Sequence, residues 1–392
     1  MPSTAPLEAH NDSGLPAGDF ARIQEVFTEH LAASAGGMSF CVYREGAPVL
    51  RLHGGTTVRP GGDPGQGLAG PRPWTGQTRA VLFSGTKGLV ATLAAILAGR
   101  GELDVRAPVA AYWPEFAAAG KKHVPVSALL DHTVGLVYVD PEPEGGDAFY
   151  DNRRNASILA AQRPLWEPGS KVAYHAHTYG YLMAELLLRV TGKDVGTLLH
   201  EELSEPLGLD IHLGLPPELD GEVATIFRAG DYAISTFLTD PERRRIVERM
   251  YGNTLTGTKD TFNSVGMRRA QMASGGAIAT AESMAALYSQ LVAPGQRIVS
   301  PDALADARAT WSEGVDAVND RPLRFGLGFE LADPIGTYGP VAPAFGHSGA
   351  GGGLQGAWPD KNVGFSFLTN EMLAEDKDRR VKDLLKVLAQ VL

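Results

Sequence analysis

The feature that most limits what this chain can fold into is a short apolar run that breaks into a polar turn, Phe83-Ser84-Gly85-Thr86-Lys87. Val81, Leu82 and Phe83 read as the end of a strand. From Gly88 onward Leu89, Val90, Leu93, Ile96 and Leu97 recur at intervals of three and four, which predicts a helix stopped by Gly99 and Gly101. Ser84 then stands at or near a helix N-terminus, with Lys87 one turn later on the same face. A serine hydroxyl is a weak nucleophile at neutral pH unless a neighbour takes its proton and a positive field favours the oxyanion. A lysine at i+3 supplies both, and the helix N-terminus adds partial positive charge. The plain alternative is an N-cap serine followed by a solvated lysine. Against it, no other serine in the chain has lysine three residues on. A lysine in the first turn of so apolar a helix is also costly unless paired or used.

Composition narrows the classes. At 392 residues the chain can bury a large core, and length suggests two or three domains. A net charge of -10 argues against nucleic acid or an anionic membrane surface as partner. Cys41 is the single cysteine, so no disulfide forms within the chain; in Phe40-Cys41-Val42-Tyr43 it reads as a small core residue. Met1 to Gly18 is polar, with neither the basic nor the apolar region of a secretory signal, and no window reaches the ~18 apolar residues of a membrane span. The expected location is cytoplasmic.

In chain order, a helix is predicted over 19–33, then strands over 38–44 and 48–54 joined by the Glu45-Gly46-Ala47 turn. Residues 55–78 read as an irregular loop. Helices dominate from Ser84 to about 290, including 178–190 and 280–291, while 215–265 is charged, weakly periodic and suited to a flap over a pocket. Strands return at 325–331, 344–349, 355–358 and 363–368, and an amphipathic helix closes the chain with Val381, Leu384, Leu385, Leu388 and Val391 on one face. The expected fold is α+β: an antiparallel sheet built from both chain ends, flanked by the terminal helices, with an inserted mainly helical domain. The corresponding division is 1–83, 84–290 and 291–392, with the site in the crevice between.

Ser84-x-x-Lys87, Tyr174 and His347-Ser348-Gly349, in that order, resemble the serine β-lactamase and penicillin-binding-protein superfamily. Within it the chain looks most like the class C β-lactamase branch and its ester-cleaving relatives, the family VIII carboxylesterases, from about residue 20 to the C-terminus. Leu129-Leu130-Asp131-His132-Thr133-Val134-Gly135-Leu136 and Glu205-Pro206-Leu207-Gly208-Leu209 match further stretches of that branch. The resemblance implies a β-lactamase-like fold. It makes Ser84 the nucleophile, Lys87 its partner, and Tyr174 a second base and proton donor whose phenolate Lys87 would stabilise. Taken alone, Tyr174 is an ordinary half-buried tyrosine. His347, Ser348 and Gly349 fill the substrate-binding third box, and the N–H groups of Ser84 and Ala350 would form the oxyanion hole. His347 reads equally well as an ordinary strand histidine, and His132 as structural.

Two decoys are set aside. Gly346-His347-Ser348-Gly349-Ala350 lacks both the last glycine and the strand-turn-helix context of a nucleophile elbow. His175 and His177 have no third ligand spaced nearby, so no metal or other cofactor is expected.

Departures from the lactamase pattern decide the expected substrate. The third-box lysine is replaced by His347, and the asparagine of the tyrosine box by Ala176. Both lost groups suit anionic, amide-bearing substrates; uncharged esters need neither. The expectation is a carboxylesterase acting on a small-molecule ester through an acyl-enzyme on Ser84. The alternatives are a β-lactamase, D-amino-acid peptidase or amidase, or acyltransferase using the same site, or a non-catalytic penicillin-recognising protein.

Overall fold

The computed structural model describes residues 7–62, 70–234, 238–251, 262–295 and 298–392. Met38, Phe40 and Val42 alternate with Ser39 and Cys41, and strand geometry sends the two sets to opposite faces. That stretch is β2 (Gly37–Arg44), preceded by β1 (Glu8–Asn11) and followed by β3 (Ala47–Gly55). Glu45 and Gly46, both at positive φ, close the hairpin with the turn that matches strand twist. The other strands come from the far end of the chain: β4 (Ser312–Val315), β5 (Pro322–Phe325), β6 (Glu330–Leu331), β7 (Phe345–Ser348), β8 (Leu354–Trp358) and β9 (Val363–Thr369). Among the described residues they make one antiparallel sheet in the order β1-β3-β2-β9-β8-β7-β6-β5-β4. The seam between the chain ends is β2 against β9, with Val42 opposite Phe365 and Phe40 opposite Phe367.

Each face of the sheet carries helices. On one face α1 (Ala17–Ala33) buries Ile23 and Phe27 against Phe40, Val42, Phe365 and Phe367, together with Leu384 and Leu388 of the C-terminal helix. The opposite face receives α2 (Gly85–Gly99), with α3 (Thr178–Thr191) packed beyond it. Helix α4 (Pro241–Tyr251) lies over a smaller cluster that includes Val137, Ala173, Ala176 and Tyr174. On the α2 side α5 (Ala281–Val292) crosses the sheet so closely that a Cβ on Gly364 would lie 2.1 Å from Ser289 N. The C-terminal helix is α6 (Arg380–Val391). Every residue of α2 from Gly85 to Leu97 is buried, as expected of a helix apolar all round. Helix α2, within 84–290, and α5, which runs two residues past that boundary, pack on the sheet itself.

Three expectations shift. Helix α2 begins at Gly85, a turn earlier than the apolar spacing marks, because Gly85, Thr86 and Lys87 N–H already donate to the carbonyls of Leu82, Phe83 and Ser84. The single strand expected over 325–331 is two, β5 and β6, broken where Gly328 takes φ +83 and Gly326 presses against the Ala307 carbonyl. Strands β1 and β4 were not legible: each is four residues at a sheet edge, where half-exposed polar sequence suffices. Of the segment 215–265, helix α4 is described, while 235–237 and 252–261 lie outside the described residues, as do 63–69 of the 55–78 loop. Among the described residues no helix is long and apolar enough to cross a membrane.

Candidate active site

The turn that delivers Ser84 is strained. Phe83 sits at φ +48, a region that non-glycine residues avoid, and it is held there by packing against Phe262 with ring centroids 4.6 Å apart. Leu82 N–H donates to Ala277 O, and Ala277 N–H to Thr86 Oγ1, so both sides of Ser84 are tied to Ala277. Ser84 itself is half-buried and lines a cavity of about 180 Å³. Its side chain makes no capping bond to the helix, which removes the plain N-cap reading.

Lys87 is wholly buried, and its amine has three partners: Ala176 O at 2.9 Å, Ser274 O at 2.8 Å and Ser84 Oγ at 3.2 Å. Burial pushes its pKa from 10.5 down to about 7, against a smaller upward pull from the Glu330 carboxylate. The two carbonyls can only accept, so they take two N–H bonds. The third direction faces Ser84, where an ammonium donates and a neutral amine presents its lone pair to the hydroxyl proton.

Tyr174 lies beside this pair, hydrogen-bonded through its side chain to Ser84, with Lys87 Nζ 4.9 Å from its ring centroid. Burial pushes the phenol well above its ordinary value, and the nearby Glu330 charge adds to this; the Ser84 bond and Arg321 oppose it. Tyr174 is therefore a neutral phenol rather than the phenolate expected beside Lys87, and the readily deprotonated group is the lysine. The tyrosine backbone is clamped by Asp316, whose carboxylate accepts Tyr174 N–H at 3.3 Å. His132 supports the ring from behind at 5.0 Å; its Nδ1 accepts His175 N–H, and burial holds it neutral, as a structural residue.

The third box divides. Ser348 and Gly349 line the cavity with Ala350, but His347 does not: its ring is fully buried, turned toward α2. Burial brings its pKa down to about 4, so it is uncharged at neutral pH. Its Nδ1 donates to Ser348 O at 2.8 Å. Gly349 cannot be larger, because a Cβ there would stand 2.4 Å from Leu82 O. Neither Ser84 N–H nor Ala350 N–H donates to a backbone carbonyl among the described residues.

Glu330 is the residue that motif spacing missed. Its Oε2 accepts Ser348 N–H at 2.8 Å and Tyr338 O–H at 2.9 Å, and its Oε1 accepts Ser348 Oγ–H at 3.1 Å. Burial works to raise its pKa, but His347, Arg321 and the Ser348 donors bring it below the ordinary value. An anion is therefore built in beside the third box. Arg321, on the cavity wall, is paired with Glu375 at 2.8 Å. The available signal was an acidic residue in an otherwise apolar strand run, Phe329-Glu330-Leu331. Among the described residues no cluster of three His, Cys, Asp or Glu side chains is arranged to hold a metal.

The β-lactamase family model matches residues 23–390. The chain belongs to the β-lactamase family. A curated member, the esterase/β-lactamase LipL of Mycobacterium tuberculosis, is 33% identical over 354 residues, 86% of this chain and 78% of LipL. A penicillin-binding-protein homologue from Caulobacter crescentus superposes with a TM-score of 0.85 at 32% identity, covering 98% of this chain and 100% of that one. A family VIII carboxylesterase superposes equally well, TM-score 0.85 at 30% identity with the same coverage. This β-lactamase-family chain is thus a β-lactamase-fold hydrolase with carboxylesterase neighbours, and its antiparallel sheet flanked by helices is the expected α+β fold.

Proposed function

We propose that this protein hydrolyses small uncharged carboxylic esters through an acyl-enzyme on Ser84. Lys87, with a pKa of about 7, takes the Ser84 proton as the oxygen attacks the ester carbonyl. The N–H groups of Ser84 and Ala350 stabilise the oxyanion, and the neutral Tyr174 phenol, hydrogen-bonded to Ser84, protonates the departing alcohol. Water then enters by the reverse sequence and releases the acid.

The observation that carries the ester reading is Glu330. The third-box strand, where a fixed cation would meet a substrate carboxylate, instead has a buried neutral His347 and a Ser348 whose N–H and O–H are both held by a carboxylate. A substrate anion about 4 Å from Glu330 would meet roughly 4 kcal/mol of repulsion at an effective dielectric of 20. An uncharged ester meets none. The family VIII carboxylesterase at 30% identity supports the same reading.

A second reading, slow β-lactam opening, is favoured by Arg321 on the cavity wall and by the double name of LipL. The test is hydrolysis of a short-chain p-nitrophenyl ester beside a chromogenic cephalosporin, for wild type and Ser84→Ala. Ester cleavage abolished by the substitution, with little lactam opening, is the expected result. Rapid lactam opening with weak ester cleavage would overturn it.

A further inference from the structure

The turn after the third box, Gly349-Ala350-Gly351-Gly352-Gly353, has glycine at four of its five positions. Gly351 and Gly352 stand at φ +82 and +103, where glycine is nearly obligatory. Such a turn has little stiffness of its own. Inside it Gly349 N–H donates to Gly353 O at 2.7 Å and Gly352 N–H to Gly349 O at 3.3 Å. Any fixed direction for Ala350 N–H must come largely from what the turn rests on.

It rests on Arg380, the first residue of α6, which is 2% exposed. Arg380 Nη2 donates to Gly351 O at 2.8 Å. The guanidinium is itself immobilised. Nε and Nη2 grip the two Asp378 oxygens at 2.9 and 2.5 Å, Nη1 reaches Thr369 Oγ1 at 3.2 Å, and both terminal nitrogens reach Glu371 O. Asp378 then forms the floor under Gly352, where a Cβ would come within 1.9 Å of its Oδ2, and Met372 lies 2.6 Å from a Cβ on Gly351. A guanidinium so occupied has no direction left for a substrate group; its free energy goes into holding a peptide plane.

We propose that Arg380 is a positioning residue for the oxyanion site: through Gly351 O and the Asp378 floor it fixes the turn so that Ala350 N–H points at the developing oxyanion. This rests on the reading of Ser84 as nucleophile and Ala350 N–H as oxyanion donor. Lysine cannot reproduce the fork that joins Asp378, Glu371 and Gly351 at once.

The experiment compares wild type, Ser84→Ala, Arg380→Lys and Asp378→Asn. It measures kcat and KM for a p-nitrophenyl ester and inhibition by an alkyl boronic acid, whose tetrahedral adduct with a serine oxygen places an oxygen in the oxyanion hole. All assays run well below each variant's melting temperature. In Arg380→Lys, kcat should fall about 10- to 100-fold, somewhat less than for outright loss of an oxyanion donor. KM should stay within about twofold, and the boronate inhibition constant should rise in parallel with the loss in kcat. A lowered melting temperature with wild-type kcat and boronate affinity would overturn the proposal and leave Arg380 a purely structural residue. Should Arg380→Lys not fold, Asp378→Asn carries the same test, because it loosens the guanidinium without removing it. Full activity in Ser84→Ala would overturn the nucleophile reading as well, whereas an inactive Ser84→Ala beside an unaffected Arg380→Lys overturns the positioning role alone.

Discussion

Replacing Lys87 by methionine separates the cost of a buried amine from its use. At 1.36 kcal/mol per pKa unit, the drop from 10.5 to about 7 means that burying this side chain withholds about 4 kcal/mol of stability at pH 7. Methionine of similar length removes that cost. It also leaves Ala176 O and Ser274 O, now 2.9 and 2.8 Å from the amine, without their donor, at about 1–3 kcal/mol each. The two effects nearly cancel at neutral pH, so the decisive quantity is the slope. Between about pH 7 and 10.5 the unfolded chain holds the Lys87 proton and the folded protein does not. Wild-type stability should therefore rise with pH, relative to Lys87→Met, by about 1.4 kcal/mol per pH unit across that window, and be parallel to it below. Urea denaturation of both proteins at pH 6, 7, 8 and 9 measures this, while ester turnover of the variant should fall at least about 10²-fold. A stability difference that stays flat from pH 7 to 9 would refute the desolvated lysine and with it the base assigned to Ser84.

Other expectations follow from the same geometry. The kcat/KM of ester cleavage should rise about tenfold per pH unit below about pH 7 and level off above it, as Lys87 loses its proton. Since the Glu330 charge holds the Lys87 pKa up, Glu330→Gln should move that acid limb to lower pH; a shift upward would contradict the placement. Tyr174→Phe should lower kcat about 10²-fold with KM little changed, read by steady-state kinetics on an ester with a poor leaving alcohol. Gly349→Ala should cost about 1–3 kcal/mol in chemical denaturation and most of the activity, because its Cβ meets the Leu82 carbonyl at 2.4 Å and that backbone cannot yield without moving Ser84.

Part of the candidate site was legible because two of its residues are close in sequence. Ser84 and Lys87 are three residues apart, and the apolar spacing from Gly88 onward put them at the N-terminus of a helix that the structure buries. Long strands with clean alternation, β2 and β9, were equally readable, and so was the amphipathic α6. Tyr174 and His347-Ser348-Gly349 were found through resemblance, since nothing within a few residues of them marks a site. What resemblance carried over, tertiary structure then sorted: Ser348 and Gly349 face the cavity, and His347 faces α2. Glu330, Arg321, Asp316 and Arg380 were not found, because each acts on a partner far away in sequence or across a strand pairing.

The sequence by itself determined the apolar helix that Ser84 precedes and whose first turn carries Lys87, and the sheet drawn from both chain ends. These depend on residue type and on periodicities of two or 3.6, which survive in a linear string. Only the tertiary structure decided the charge states. Lys87 has a pKa of about 7 because the fold buries its amine completely, against a smaller upward pull from Glu330, and Tyr174 is a neutral phenol because burial raises its pKa and the Glu330 carboxylate, brought near from β6, adds to that. Desolvation and Coulomb interactions are set by distances in space, and those exist only once the two ends of the chain have been brought together between β2 and β9.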